Sequence, residues 1–269
     1  MEEKNTSNSK IAAIIKPRIH HQKKQKLEDV APLKTPFSVH IDVCSLCNFR
    51  CSFCFQADKL GKKEKNFPHG MMKMDLFKKT VDNLKTFPDR IKKIKIGNHG
   101  EPTLHPLLPK FIEYARKSDV ADIIEVFTNG SKLNQKLNKE LVDAGLQRIN
   151  ISLEGLSSER YLKVAAAKIN WDEFVSNVRD LYSYSRKNGD LNIYVKIINH
   201  ASELKGKTVF SMTDEEKDIF YKTFGNIADE IYIEKIVPQW AETQEGKQNE
   251  VELTGMYDQK TVRYKKVCP

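Results

Sequence analysis

The chain has 269 residues, room for one large domain or two modest ones. Hydrophobic residues make up 39% and charged residues 30%. No apolar run approaches the roughly 18 residues of a membrane span, and the run Ile11 to Ile15 is too short for the apolar part of a signal peptide. A soluble, cytoplasmic protein without a membrane partner is therefore expected. Lys and Arg outnumber Asp and Glu by 45 to 36, a net charge of +9. Residues 1–34 hold a share of that excess, with five basic residues and no acid between Lys16 and Lys26. No aromatic residue is interleaved there to stack on bases, so 1–34 reads as a basic, solvated, disordered arm rather than a nucleic-acid clamp.

From residue 36 the pattern repeats: a short β-branched run, a loop, an amphipathic helix. Phe37 to Val43 alternates like a strand, and a cysteine-rich loop follows. A helix is expected over Met74–Phe87, a strand over Ile94–Ile96, and a helix over Leu107–Lys117. The third strand, Ile123–Phe127, ends in Thr128-Asn129-Gly130. Asn134 caps the next helix, which Gly145 stops. Further strands are expected at Ile149–Leu153, Asn192–Ile198 and Glu230–Lys235. Helices are expected over 157–166, 171–188 and from Thr213 to Phe224. Six strands alternating with helices require crossover connections and hence a parallel sheet. No GxGxxG follows the first strand, so the expected fold is α/β, a partial (β/α)6 TIM-like barrel. The unusual residues lie in the loops after successive strands, where such sheets build their sites.

Four of the five cysteines fall within eleven residues: Cys44, Cys47, Cys51 and Cys54. So tight a group is no disulfide framework and points to a metal or an iron–sulfur cluster. Zinc knuckles separate their Cys pairs by about twelve or more residues, whereas Cys47 and Cys51 are separated by three. The spacing Cys47-x3-Cys51-x2-Cys54 suits three corners of a cubane cluster, with the fourth iron left open to another ligand.

Cys47-Asn-Phe-Arg-Cys51-Ser-Phe53-Cys54 resembles the signature of the radical S-adenosylmethionine (SAM) superfamily, Cx3CxΦC with an aromatic Φ. The resemblance covers about residues 36–240. It implies a [4Fe–4S] cluster on Cys47, Cys51 and Cys54, SAM chelated to the fourth iron, and Phe53 beside the adenine. Cys44 lies outside the signature and reads as a small buried residue at a strand end. His99-Gly100-Glu101-Pro102 resembles the family's Gly-Gly-Glu-Pro, with His99 in place of the first Gly. Gly100 permits the turn, and Glu101 is expected to face the SAM ammonium. His99 lines the substrate pocket or packs, and His105 reads as a loop residue. Thr128 and Asn129 resemble the strand ending near the SAM ribose and methionine. Ser152 and Glu154 resemble the Ser-x-Asp/Glu that contacts the ribose or the SAM carboxylate. Lys196 reaches SAM or substrate, or is simply solvated.

Ile236–Trp240 and Tyr264–Pro269, with Cys268, resemble the last core strand and the start of the auxiliary domain in SPASM-containing members. Three segments are therefore expected: the arm 1–34, a core barrel 35–240, and a linker 241–269 toward an auxiliary cluster domain. The resemblance implies an enzyme that cleaves SAM reductively and takes hydrogen from a small-molecule or peptide substrate. Its electron donor would be a flavodoxin or ferredoxin. The competing reading is a zinc- or Fe–S-stabilised protein that binds or modifies nucleic acid.

Overall fold

The computed structural model describes residues 11–18, 30–51, 54, 70–204, 207–210 and 212–235. Among these residues there are eight strands: β1 (Ile14–Ile15), β2 (Ser38–Ile41), β3 (Ile91–Ile96), β4 (Ala121–Thr128), β5 (Arg148–Leu153), β6 (Asn192–Leu204), β7 (Lys207–Phe210) and β8 (Glu230–Lys235). The described residues also form six α-helices: α1 (Met74–Asn83), α2 (Leu108–Lys117), α3 (Gln135–Asp143), α4 (Ser158–Ala165), α5 (Trp171–Asn188) and α6 (Asp214–Phe224). Seven strands are parallel, in the order β1-β8-β6-β5-β4-β3-β2, and β7 pairs antiparallel with β6. The α/β fold expected from the alternation of elements, a partial (β/α)6 TIM-like barrel, is the observed architecture, with the parallel β1 and the antiparallel β7 added to the six expected strands. No helix among the described residues is long and apolar enough to cross a membrane.

Local chemistry explains the helix ends. Asn134, Ser157 and Asn170 each accept a backbone N–H of the first turn of α3, α4 and α5. Thr213 and Glu216 exchange both bonds of a capping box on α6. Gly145, at φ +81°, ends α3 in the left-handed region.

The strands alternate in an informative way. Ile94, Ile96, Ile124, Val126, Ile149, Ile151, Ile193 and Val195 are buried, and belong to the main core cluster together with Phe77, Phe111, Leu141 and Val178 of the helices. Most residues between them are polar, namely Lys93, Lys95, Glu125, Arg148, Asn150, Asn192 and Glu230, with Phe127 and Tyr194 on the same face. Paired registers such as Lys95 with Glu125 and Glu125 with Arg148 put these on the other, inner face. Parallel sheets are usually apolar on both faces. Here the inner face is a network of ions and amides, with bidentate Arg148–Glu230 contacts at 2.8 and 3.1 Å and Lys16–Glu230 at 3.1 Å.

The expectation of a free arm over 1–34 is corrected for residues 11–18. Ile14 and Ile15 pair with Glu230 and Ile231 as a seventh parallel strand. Ala12 and Ala13 donate to the Gly225 carbonyl. A local basic count carries no information about such an edge, because the partner lies more than 200 residues away. Residues 1–10 and 19–29 of the arm, Ile236–Trp240 and 241–269 lie outside the described residues.

Candidate active site

The cysteine loop leaves the carboxyl end of β2. Cys44 is fully buried, bridges Met71, and its thiol donates to the Leu46 carbonyl at 3.6 Å. Phe49 anchors the loop, buried against Tyr161, Ala165 and Ala167 with its ring edge-on to Tyr161 at 5.8 Å. The Arg50 N–H donates to the Ala165 carbonyl at 2.8 Å, and the Cys54 N–H closes a turn on the Cys51 carbonyl at 2.9 Å. Cys47, Cys51 and Cys54 are each partly exposed, and none is in a disulfide. Phe53 lies outside the described residues.

The donor set suits an iron–sulfur cluster. Burial raises the Cys47 and Cys51 thiols, and the Glu154 carboxylate and the other two thiols raise Cys51 further. Three thiols crowded beside a carboxylate become stable as thiolates when iron supplies the positive charge. Among the described residues no three His, Cys, Asp or Glu converge as a single ion would require. In a cubane each thiolate meets a different iron, so convergence on one point is not needed.

Glu101 ties this loop to the sheet. It is 1% exposed. Its Oε1 accepts from the Thr103 N–H at 3.0 Å, the Thr103 hydroxyl at 2.5 Å and the Thr128 hydroxyl at 2.6 Å. Its Oε2 accepts from the Asn129 N–H at 2.7 Å. Burial pushes its pKa up, against the pull of these four donors. Glu101, Thr128 and Asn129 thus bind one another. Gly100 lies under the loop: a Cβ there would stand 2.2 Å from the Cys44 carbonyl oxygen, and the Glu101 N–H donates to the Leu46 carbonyl at 2.8 Å. Gly97, at φ +82°, is held against the Pro102 ring, which a Cβ would meet at 2.7 Å. Asn129 extends the link, donating to Asn48 Oδ1 at 3.0 Å and reaching the Cys47 sulfur at 4.0 Å.

On the other side of the loop, the Cys51 thiol donates to Glu154 at the end of β5. Burial pushes the Glu154 carboxyl up to about 7, against Lys196 and that thiol. Ser152 is half-buried and pairs in register with Lys196. Lys196 is not solvated: it is 17% exposed and bonded to Glu234 at 2.6 Å. A cleft beside Glu154 is lined by Leu153, Arg160, Ile197 and Met212. Arg160 folds over Gly155, where a Cβ would meet its side chain at 2.3 Å. Sequence reasoning missed Asn48, Arg160 and Tyr161. Their one signal was adjacency, to Cys47 for Asn48 and to the Ser-x-Glu ending for the other two. His105 is built into its loop, with Nε2 3.0 Å from the Met72 carbonyl and its ring against Phe111. His99 sits on Asp42, Nδ1 to Oδ2 at 2.7 Å.

The chain resembles known proteins over most of its length. It is 28% identical over 225 residues to a probable GTP 3′,8-cyclase of Methanococcus maripaludis, covering 74% of this chain and 70% of that protein. A cofactor-modifying protein for tungsten-containing aldehyde ferredoxin oxidoreductase, from Pyrococcus furiosus, is 32% identical over 118 residues, 44% of this chain and 31% of that one. Streptococcus suis SuiB, solved with its precursor peptide SuiA, shares the fold at a TM-score of 0.58 and 13% identity, over 78% of this chain and 42% of that chain. The chain therefore spans less than half of two of these proteins. The sequence model of the radical SAM superfamily, whose members use a [4Fe–4S] cluster and SAM, matches residues 41–203. With that match over more than half the chain, and three cluster-competent thiols on the loop after β2, the protein belongs to the radical SAM superfamily.

Proposed function

We propose that this protein cleaves SAM reductively and uses the radical so formed to take hydrogen from a small molecule, with a peptide as the second substrate class. The observation that carries this reading is the trio of unbridged thiols, Cys47, Cys51 and Cys54, on a loop pinned to Gly100, Glu101 and Asn129. These thiols would hold the cluster, which would supply the one-electron reduction of the SAM sulfonium, with the electron drawn from a flavodoxin- or ferredoxin-type donor. Glu101, Thr128 and Asn129 fix the loop against β4, and Gly100 and Pro102 shape the turn beneath it. Ser152, Glu154 and the cleft beside Arg160 receive the polar groups of SAM, with Phe53 beside its adenine. Free thiols at the site suit a reducing compartment such as the cytoplasm. The small-molecule class is supported by relatives named GTP 3′,8-cyclases, and the peptide class by the fold shared with SuiB.

Anaerobic reconstitution with iron and sulfide tests the reading. About four irons per chain and slow SAM cleavage with dithionite are expected from the wild type. Changing Cys47, Cys51 or Cys54 to Ala should abolish both. Full iron loading in Cys51→Ala, or a colourless protein that takes zinc instead, would overturn the assignment. GTP and a peptide library are the first substrate probes.

A further inference from the structure

The inner face of the sheet carries more cations than its carboxylates can balance near β2 and β3. Register places His40 beside Lys95, and Lys95 beside Glu125. The neighbouring carboxylates are already engaged. Glu125 lies 3.5 Å from Lys93 and 3.8 Å from Arg148. Asp42 takes the Asn98 and His99 N–H groups on Oδ1 and the His99 ring on Oδ2. Glu230 takes Arg148 and Lys16. Among the described residues no carboxylate stands within ion-pair distance of Lys95.

A second cation arrives from the far edge of the sheet. After β1 pairs with β8, the chain turns across the inner face. Lys16 meets Glu230 on β8, and the Arg18 guanidinium comes to rest 5.3 Å over the Phe127 ring on β4. Phe127 lies two residues beyond Glu125, the register partner of Lys95, so Arg18 shares the inner face with His40 and Lys95. Lys95 and Arg18 are half-buried, whereas His40 is exposed, so the group is open to solvent on the β2 side. Burial, and then Lys95 and Arg18, lower the pKa of His40 against the pull of Asp42 and Glu125; burial likewise lowers Lys95, with Arg18 and Lys93 adding to it and Glu125 opposing. Like charges crowded in a half-buried space are costly unless an anion joins them.

We infer that Arg18, His40 and Lys95 form an anion-binding subsite on the inner face of the half-barrel, which takes a phosphate group of the substrate. A doubly charged phosphate balances both full cations and leaves oxygens for the imidazole; a single carboxylate balances one. The word substrate rests on the function proposed above, whereas the anion site itself does not. The N-terminal strand thereby gains a purpose: anchored along β8, it delivers Arg18 to the inner face.

Calorimetry on the anaerobically reconstituted holoenzyme, with inorganic pyrophosphate and with citrate at two salt concentrations, tests this. Wild type should bind pyrophosphate more tightly than citrate. Lys95→Gln and Arg18→Gln should each weaken pyrophosphate about tenfold or more, while Lys95→Arg stays near wild type. If Lys95→Gln fails to fold, Arg18→Gln carries the same comparison. Equal affinity in wild type and both Gln variants would mean diffuse attraction to a basic chain and would overturn the subsite. Tighter citrate binding would overturn the phosphate assignment. Iron content and SAM binding are read on the same sample. Protein that holds iron and SAM yet ignores pyrophosphate defeats the subsite alone, whereas protein that holds neither iron nor SAM defeats the enzymatic reading.

Discussion

Glu101 and Glu230 are both buried on the half-barrel, at 1% and 6% exposure, and are satisfied in opposite ways. Glu230, at the start of β8, is met by Arg148, Lys16 and the Asn192 amide. Burial pushes its pKa up, but the two cations outweigh burial and hold it below the usual glutamate value. Glu101, at the carboxyl rim, receives only neutral N–H and hydroxyl donors, and burial prevails. The first arrangement is closed: charge meets charge, and nothing further is needed. The second leaves its negative charge beside the Cys47 thiol, on a loop whose other side meets Glu154 through Cys51. That rim suits positive partners, namely iron and the SAM ammonium and sulfonium. The difference separates scaffold from site without reference to any motif.

The most damaging way to break the contrast is Arg148→Met. It leaves Glu230 buried with Lys16 and the Asn192 amide, and should cost about 3–5 kcal/mol in urea unfolding. Iron loading per folded chain should survive, because Arg148 lies far down the sheet from the cysteines. Next is Glu101→Gln, which turns one acceptor oxygen into a donor facing donors. About 1.5–3 kcal/mol of stability should go, and iron retention with it. A Glu101→Gln protein with unchanged melting and iron content would falsify the view that this carboxylate ties the loop to the sheet.

The pH dependence sharpens the comparison. For Glu230 the folded pKa is depressed, so its contribution is complete above the ordinary glutamate value, about 4.3, and is lost as pH falls through the folded value. For Glu101 the folded pKa is raised, so its contribution is complete below about 4.3 and is lost as pH rises through the folded value. The acid limb of the stability curve should therefore flatten in Glu230→Gln and steepen in Glu101→Gln. The same slope in both variants would contradict the assignment. The smallest effect belongs to Cys44→Ala, about 1 kcal/mol with iron loading retained, since that buried thiol bonds only to the Leu46 carbonyl within its own loop.

Glu101, Thr128 and Asn129 were each legible as candidate site residues from their motifs. That they bind one another was not, because the side chain of Glu101 turns inward only once β3, β4 and the cysteine loop have packed. The reading of Glu101 as facing the SAM ammonium sees the charge but misses its four internal donors. Lys196 is the converse case: a lone Lys on a strand looks solvated until β8 brings Glu234 beside it. Arg160 is concealed because a helix position next to a motif looks like any other charged surface position until Gly155 lets it fold over.

By itself the sequence determined which thiols share a loop and the order of the elements from β2 to β8, β7 excepted. Both are local: cysteine spacing sets which thiols share a loop, and alternation of β-branched and amphipathic runs sets strand and helix. Caps at Asn134 and Thr213 and the stop at Gly145 are equally local, since their partners lie within a turn. Tertiary structure decided the rest. It made Ile14–Ile15 a strand of the sheet, set Arg18 over Phe127, and gave the inner face its ions. Those outcomes depend on contacts between residues far apart in the chain, and the closure entropy of such contacts is recovered only when the whole sheet forms at once.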